Sequence, residues 1–171
     1  MSIVVETPRL VLRRLEERDA EFILTLVNDP AWLQFIGDKG VRTLDDARAY
    51  LRNGPIDMYA KHGHGLYCVE TKANGEAIGM CGLIKRDTLP DVDLGFAFLP
   101  SARGGGYAYE AASATMTYAR ETLNLQRVVA IVSPGNERSI GLLEKLGFRF
   151  EKSLRLPPKE DQETLLYASD G

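Results

Sequence analysis

The stretch that most limits what this chain can become is Arg103-Gly104-Gly105-Gly106-Tyr107-Ala108. An apolar run from Val92 to Leu99, closed by Pro100, stands before it. An uninterrupted stretch of mostly good helix formers, Tyr109 to about Leu123, comes after it. The predicted order is strand, glycine loop, helix. The first turn of a helix has N–H groups with no internal partner, and the helix dipole adds partial positive charge there. Glycines let the backbone turn tightly and let an anion reach those N–H groups with no Cβ in the way. Arg103 adds a permanent charge and a planar fork of donors. The other reading is a turn that only joins strand to helix. Each glycine costs about 0.5–1 kcal/mol of ordering entropy, so three in a row suit a plain turn poorly.

The neighbouring residues narrow the anion. A phosphate-binding P-loop needs Lys-Ser or Lys-Thr after its last glycine, and here Tyr107-Ala108 follows. A dinucleotide fingerprint needs G-x-G-x-x-G inside a βαβ unit, and that spacing fails. A pyrophosphate held by backbone N–H groups without a metal is consistent with what is left.

Thr7-Pro8-Arg9-Leu10-Val11-Leu12-Arg13 reads as a first strand, with Leu10 and Leu12 facing one way. A helix from Asp19 to Asn28 follows, with Phe22, Ile23, Leu26 and Val27 as its apolar stripe. Pro30 opens a short turn carrying Trp32, Phe35 and Ile36. Trp32 and Phe35 are candidate substrate contacts, and core contacts under a helical arm are the other reading. Thr43 caps a helix from Leu44 to about Leu51, which Gly54-Pro55 interrupts. His62 and His64 lack further ligands at a familiar spacing, so a solvated loop is expected and no metal site.

Leu66 to Glu70 and Ala77 to Lys85 read as strands joined at Asn74-Gly75. The second is apolar on both faces apart from glycines, which places it inside a sheet. With Val92 to Leu99 these strands form an antiparallel meander, unlike a doubly wound parallel sheet. In that last strand Val92, Leu94, Phe96 and Phe98 make a bulky face. Asp93, Gly95, Ala97 and Leu99 make the other, small in the middle, with room for a helix or a ligand. Asp93 is the candidate catalytic side chain. A strand-start acid could act as a base, attract a cation, or be a plain surface aspartate. Arg127 to Val132 reads as a buried strand, and Asn136 caps a helix from Glu137 to Leu146 that ends at Gly147.

Composition fits a single domain over residues 1–171, with 44 % apolar and 26 % charged residues. A net charge of −3 gives no footprint for nucleic acid. No signal peptide or membrane span is read, so no membrane partner is expected. Cys68 and Cys81 lie in strand-like runs and read as buried free thiols, which suits a reducing, cytoplasmic setting.

The loop and the Asn136 segment together resemble the GNAT superfamily of acetyl-CoA-dependent N-acetyltransferases. The family's Arg/Gln-x-x-Gly-x-Gly/Ala loop is matched by Arg103, Gly106 and Ala108, and its Asn-x-x-Ala/Ser…Gly-Phe stretch by Asn136, Ser139, Gly147 and Phe148. The opening Thr7-to-Arg13 segment and Tyr107-Ala108-Tyr109-Glu110-Ala111 look like the Rim-type branch, which acetylates N-terminal amines of ribosomal proteins. Relatives in that branch also acetylate aminoglycosides and small amines, so no single acceptor transfers.

The resemblance implies a mixed α/β (α+β) fold with a mostly antiparallel twisted sheet and helices on both faces. It implies acetyl-CoA as co-substrate, no metal, and a monomer or homodimer. Backbone N–H groups from Gly104 through Gly105, Gly106 and Tyr107 to Ala108 would hold the CoA pyrophosphate, beside Arg103. Phe96, Ala97, Phe98 and Leu99 would pair their backbone with the pantetheine arm, and the strand Arg127 to Val132 would splay away to open the slot. Asn136 and Ser139 would contact the pantetheine or phosphates, and Arg138 would reach a phosphate or lie in solvent. Relatives often carry an acid near Asp93. Many carry a Tyr general acid where this chain has Leu143, which leaves Tyr107 or Tyr109 as substitutes. Expected chemistry is direct attack of an amine on the thioester, with no cysteine intermediate. The rival reading is a catalytically silent acyl-CoA-binding module.

Overall fold

The computed structural model describes residues 2–171. Strands β1 (Ile3–Glu6), β2 (Leu10–Arg14), β3 (Leu66–Thr71), β4 (Ala77–Ile84) and β5 (Asp93–Phe98) form the antiparallel meander. β6 (Val128–Val132), β7 (Arg149–Leu154) and β8 (Thr164–Ser169) extend it to eight strands in the order β1-β2-β3-β4-β5-β6-β8-β7. Only the β5–β6 neighbours run parallel. β4 is buried along almost its whole length, as its two-sided apolar pattern requires.

Alternation along the central strands separates two cores. Tyr67, Val69, Cys81, Leu83, Leu94 and Phe98 pack on one face against α5 (Tyr107–Glu121). The contact residues of α5 are small, and Ala111, Ala112 and Ala119 are fully buried. Cys68 and Met80 point the other way, into a core built by α1 (Ala20–Leu26), α2 (Pro30–Phe35) and α3 (Leu44–Leu51). Helices therefore cover both faces, and each buried Leu, Ile or Met adds about 1.5–3 kcal/mol relative to exposure. A helix α6 (Glu137–Lys145) follows β6 and buries Leu143.

The chain departs from its sequence pattern at four places. The strand read from Thr7 begins at Leu10 as β2, with the unread β1 before it, because the Thr7 hydroxyl accepts the Leu10 N–H (2.9 Å) and closes a turn at Pro8. The first helix is entered through a 3-10 turn over Glu17–Asp19, so α1 proper begins at Ala20, while the Asp19 carboxylate accepts the Glu16 N–H (2.8 Å) and Arg13 (2.7 and 2.9 Å) in a buried ion pair that Glu70 completes. Gly54-Pro55 does not interrupt the third helix. The backbone widens to a π-turn over Arg52–Ile56, which tolerates a residue without an N–H, and continues into α4 (Asp57–His62). His64 is buried, not solvated, with Nδ1 2.8 Å from the Leu83 carbonyl oxygen.

Candidate active site

β5 and β6 meet at a single pair, Asp93 with Val129, steadied by Val129 N–H donating to the Val92 carbonyl at 3.0 Å. β5 is paired with β4 along the whole of Asp93–Phe98. Past Asp93, the other edge of β5 has no strand partner among the described residues. A cavity of about 420 Å³ opens in this cleft. Its walls include Asp93 to Ala97 of β5, Ala130 to Ser133 beyond the splay, and Asn136, Ser139 and Leu143. Trp32, Phe35 and Tyr50 close it from the helical arm, and residues 156–159 and 162–164 from the far side.

At the C-terminal end of β5 lies the glycine loop. Gly104 (φ +89°) and Gly106 (φ +79°) occupy the left-handed region, which only glycine adopts freely. The N–H groups of Gly104, Gly105 and Gly106 donate to no acceptor among the described residues. With the free N–H groups of the first α5 turn they form one continuous row of donors. The loop is braced from the N-terminal strand. Arg9 donates from Nη1 to the Gly105 carbonyl (2.9 Å) and from Nε to Glu110 (2.7 Å), and its guanidinium lies 4.4 Å from the centre of the Tyr107 ring. Glu110 also accepts from the Thr7 hydroxyl and the Arg9 N–H. Burial pushes the Glu110 carboxyl up, but these donors outweigh it and hold its pKa below the ordinary value.

Asp93 sits at the opposite end of β5, only 1 % exposed, with Oδ2 accepting from Arg86 Nε at 2.9 Å. Burial raises its pKa above the ordinary carboxylate value, and Arg86 opposes the rise without cancelling it. A carboxylate raised in this way is a stronger base than a solvated aspartate.

Residues 9–149 match the family model described as the acetyltransferase (GNAT) domain. The chain belongs to the GNAT acetyltransferase family. A solved acetyltransferase from Agrobacterium tumefaciens is 30 % identical, with TM-score 0.82 over 100 % of this chain and 96 % of that one. The [ribosomal protein uS5]-alanine N-acetyltransferase of Escherichia coli is 29 % identical over 161 residues, 88 % of this chain and 80 % of that protein. The spermidine N(1)-acetyltransferase of the same organism is 27 % identical over 148 residues, 84 % of this chain and 74 % of that protein. The uS5-alanine relative supports the Rim-type branch suggested by the opening segment. The chain is an N-acetyltransferase, and the GNAT family uses acetyl-CoA.

Within this GNAT cleft the predicted residues fall into three groups. Asp93, Phe96, Ala97, Asn136, Ser139, Trp32 and Phe35 all line the cavity. Trp32 is also 6 % exposed within the arm core, so its pocket and core roles coincide, and its buried indole N–H has no acceptor. Phe98, Leu99 and the loop from Arg103 to Ala108 lie beyond the cavity, along the path from β5 to α5. Arg103 is engaged through Nη2 with Asp29 (3.2 Å) and the Phe98 carbonyl (3.1 Å), so it also ties the loop to the arm. Arg138 is exposed outside the cavity.

Two sequence expectations change. Asp93 is not a surface aspartate. Tyr107 stacks with Arg9 and Tyr109 lies beside Lys145, both away from the cavity, so neither stands in for the phenol absent at Leu143. Tyr50 is the phenol in the wall, its pKa pushed up to about 12 by burial, so it stays protonated. Sequence reasoning also missed Arg86, Lys39, Lys159 and Glu163 of the wall, which carry no local motif. Cys68 and Cys81 are buried outside the wall, and burial pushes both thiols up to about 12. Among the described residues no three His, Cys, Asp or Glu side chains are grouped to hold a metal, and no helix is long and apolar enough to cross a membrane.

Proposed function

We propose that the protein transfers the acetyl group of acetyl-CoA to a primary amine by direct attack in a ternary complex. The carrying observation is the open β5 edge running straight into a loop of unpartnered N–H groups. The glycine loop would hold the pyrophosphate on its unpartnered N–H groups, which continue into the first turn of α5. The free edge from Phe96 to Leu99 would receive the amide-bearing arm as a strand receives a partner. Asn136 keeps its Oδ1 on the Ser139 N–H (3.3 Å) and leaves its amide N–H₂ to the cleft.

Asp93 takes the proton of the incoming amine, directly or through a water, and Arg86 fixes the orientation of its carboxylate. A backbone N–H at the splay steadies the developing oxyanion. The thiolate leaving group needs little help, because a thiol has a pKa near 8.5. Tyr50 is the protonated phenol within the cavity that can supply a proton. Thiols held near 12 leave no thiolate for a covalent acetyl-enzyme at neutral pH.

The test is release of CoA thiol from acetyl-CoA in the presence of primary amines, with the product checked for one added acetyl group. Amine-dependent release is expected. Tight acetyl-CoA binding with no release for any amine, peptide or small molecule, would mark a silent binding module instead.

A further inference from the structure

The cavity contains five charged side chains: Lys39, Arg86 and Lys159 against Asp93 and Glu163. Asp93 and Arg86 neutralise each other at 2.9 Å. Glu163 accepts from Ser153 Oγ at 2.8 Å. The two lysines are left without ion pairs among the described residues. Asp38, the chain neighbour of Lys39, is taken by Arg42 at 2.5 Å. Lys159 Nζ donates to the Ile36 carbonyl at 3.0 Å, which holds its ammonium against the turn after α2. Glu163 keeps its charge on a neutral donor, so the wall holds three cations against two carboxylates, a surplus of one positive charge in a chain of net charge −3.

The three cations also act on one another. Partial loss of water, then the charges of Arg86 and Lys159, lower the pKa of Lys39. Lys39 and Lys159 outnumber Glu163, the one carboxylate of the wall not bound to an arginine, and an anionic ligand relieves that excess. The donor phosphates do not supply that anion. Arg86 is tied to Asp93 at the start of β5, and the glycine loop follows its other end, about 16 Å away at 3.3 Å per residue.

Resting on the acetyltransferase reading above, we infer that the acceptor is a small primary amine that also carries an anion, a carboxylate or a phosphate. Lys39 and Lys159 receive the anionic end while the amine faces Asp93. The wall carries one sign of charge for each end of such a molecule. A polyamine would set its second ammonium against the two lysines, which is repulsion built against the wrong acceptor. A cavity of about 420 Å³, shared with the donor's arm, suits a small acceptor.

The test uses the full chain, saturating acetyl-CoA and a matched series: γ-aminobutyrate, phosphoethanolamine, butylamine and putrescine. The two anionic amines separate carboxylate from phosphate as the preferred group. For the better of them kcat/KM should exceed that of butylamine by about tenfold and that of putrescine by about 100-fold. Lys39→Met combined with Lys159→Met should bring the series within about threefold of one another, chiefly through KM of the anionic amine. Both lysines are exposed, so the variant keeps the fold. Equal or better use of butylamine or putrescine overturns the inference and leaves the acetyltransferase reading standing. Use of protein N-termini with no turnover of either anionic amine also overturns it. Failure of acetyl-CoA to stabilise the protein would instead remove the underlying reading.

Discussion

The two ends of β5 offer the proposed site different materials. At its C-terminal end the site is made of backbone: N–H groups of a glycine loop and a helix start, held in place by Arg9, Glu110 and Thr7. At its N-terminal end the site is made of side chains: Asp93, Arg86, Lys39 and Lys159, brought from four separate segments. Backbone donors are indifferent to the rest of the ligand, so the first end suits the acetyl-CoA that the GNAT family uses. Side chains are replaced one at a time without disturbing the strand, so the second end suits an acceptor that differs between relatives. The difference teaches where specificity can change in this fold at little cost to stability.

Gly106→Asp should break the backbone end most severely. Aspartate is among the residues that tolerate a left-handed backbone, so the fold should survive while a negative charge enters the anion site. Calorimetric titration should show acetyl-CoA binding weakened at least about 100-fold, or about 2.8 kcal/mol. Unchanged affinity would remove the loop from the site.

Asp93→Asn should break the side-chain end without touching the first. Asparagine can still accept from Arg86, so the loss is that of the base. Turnover should fall about 100-fold with KM for acetyl-CoA kept. In the wild type, activity should decline as pH falls through a value above the ordinary aspartate pKa of about 3.9, because the protonated acid cannot take a proton. That acidic limb should vanish in the variant. A raised KM for the amine alone would make Asp93 an attractor of the ammonium, and unchanged kinetics would remove it from the site.

Arg9→Ala sharpens the contrast, since it weakens only the brace behind the loop. Arg9 is 46 % exposed, so the effect should be modest: KM for acetyl-CoA up about three- to fivefold, kcat kept. The brace also has a pH signature. Glu110 has a depressed pKa in the folded state, so its contribution is present above the ordinary glutamate value and lost as pH falls through the depressed one. Stability should therefore fall on acidification less in Glu110→Gln than in the wild type.

Asn136→Ala should have the smallest effect, about 1 kcal/mol through the lost cap, or a melting shift of roughly 2–4 °C. Asn136→Asp keeps the cap and should raise KM for acetyl-CoA, because it adds a negative charge to the cleft. An unchanged KM would confine Asn136 to capping.

The backbone end was readable in the sequence because its determinants are contiguous. Three glycines between an alternating strand and a helix can be read without knowing any contact, and the bulky and small faces of β5 fell where alternation put them. Asp93 was readable as a strand-start acid, but its burial and its partner Arg86 were not, because pairing across a turn depends on register. Lys39 and Lys159 were unreadable, since nothing local distinguishes a lysine facing a cleft from one facing solvent. Pro55 and His64 misled for a related reason: tertiary packing overrode a local breaker and a polar ring.

The most direct test of the account is the melting temperature of the wild type with and without acetyl-CoA. A ligand bound only by the folded state at 100 times its Kd stabilises by about 2.7 kcal/mol, which for a chain of this size is a rise of roughly 5–10 °C. That rise is predicted for the wild type and its absence for Gly106→Asp. No rise in the wild type at saturating acetyl-CoA would contradict the claim that the splayed strands and the glycine loop form a CoA site.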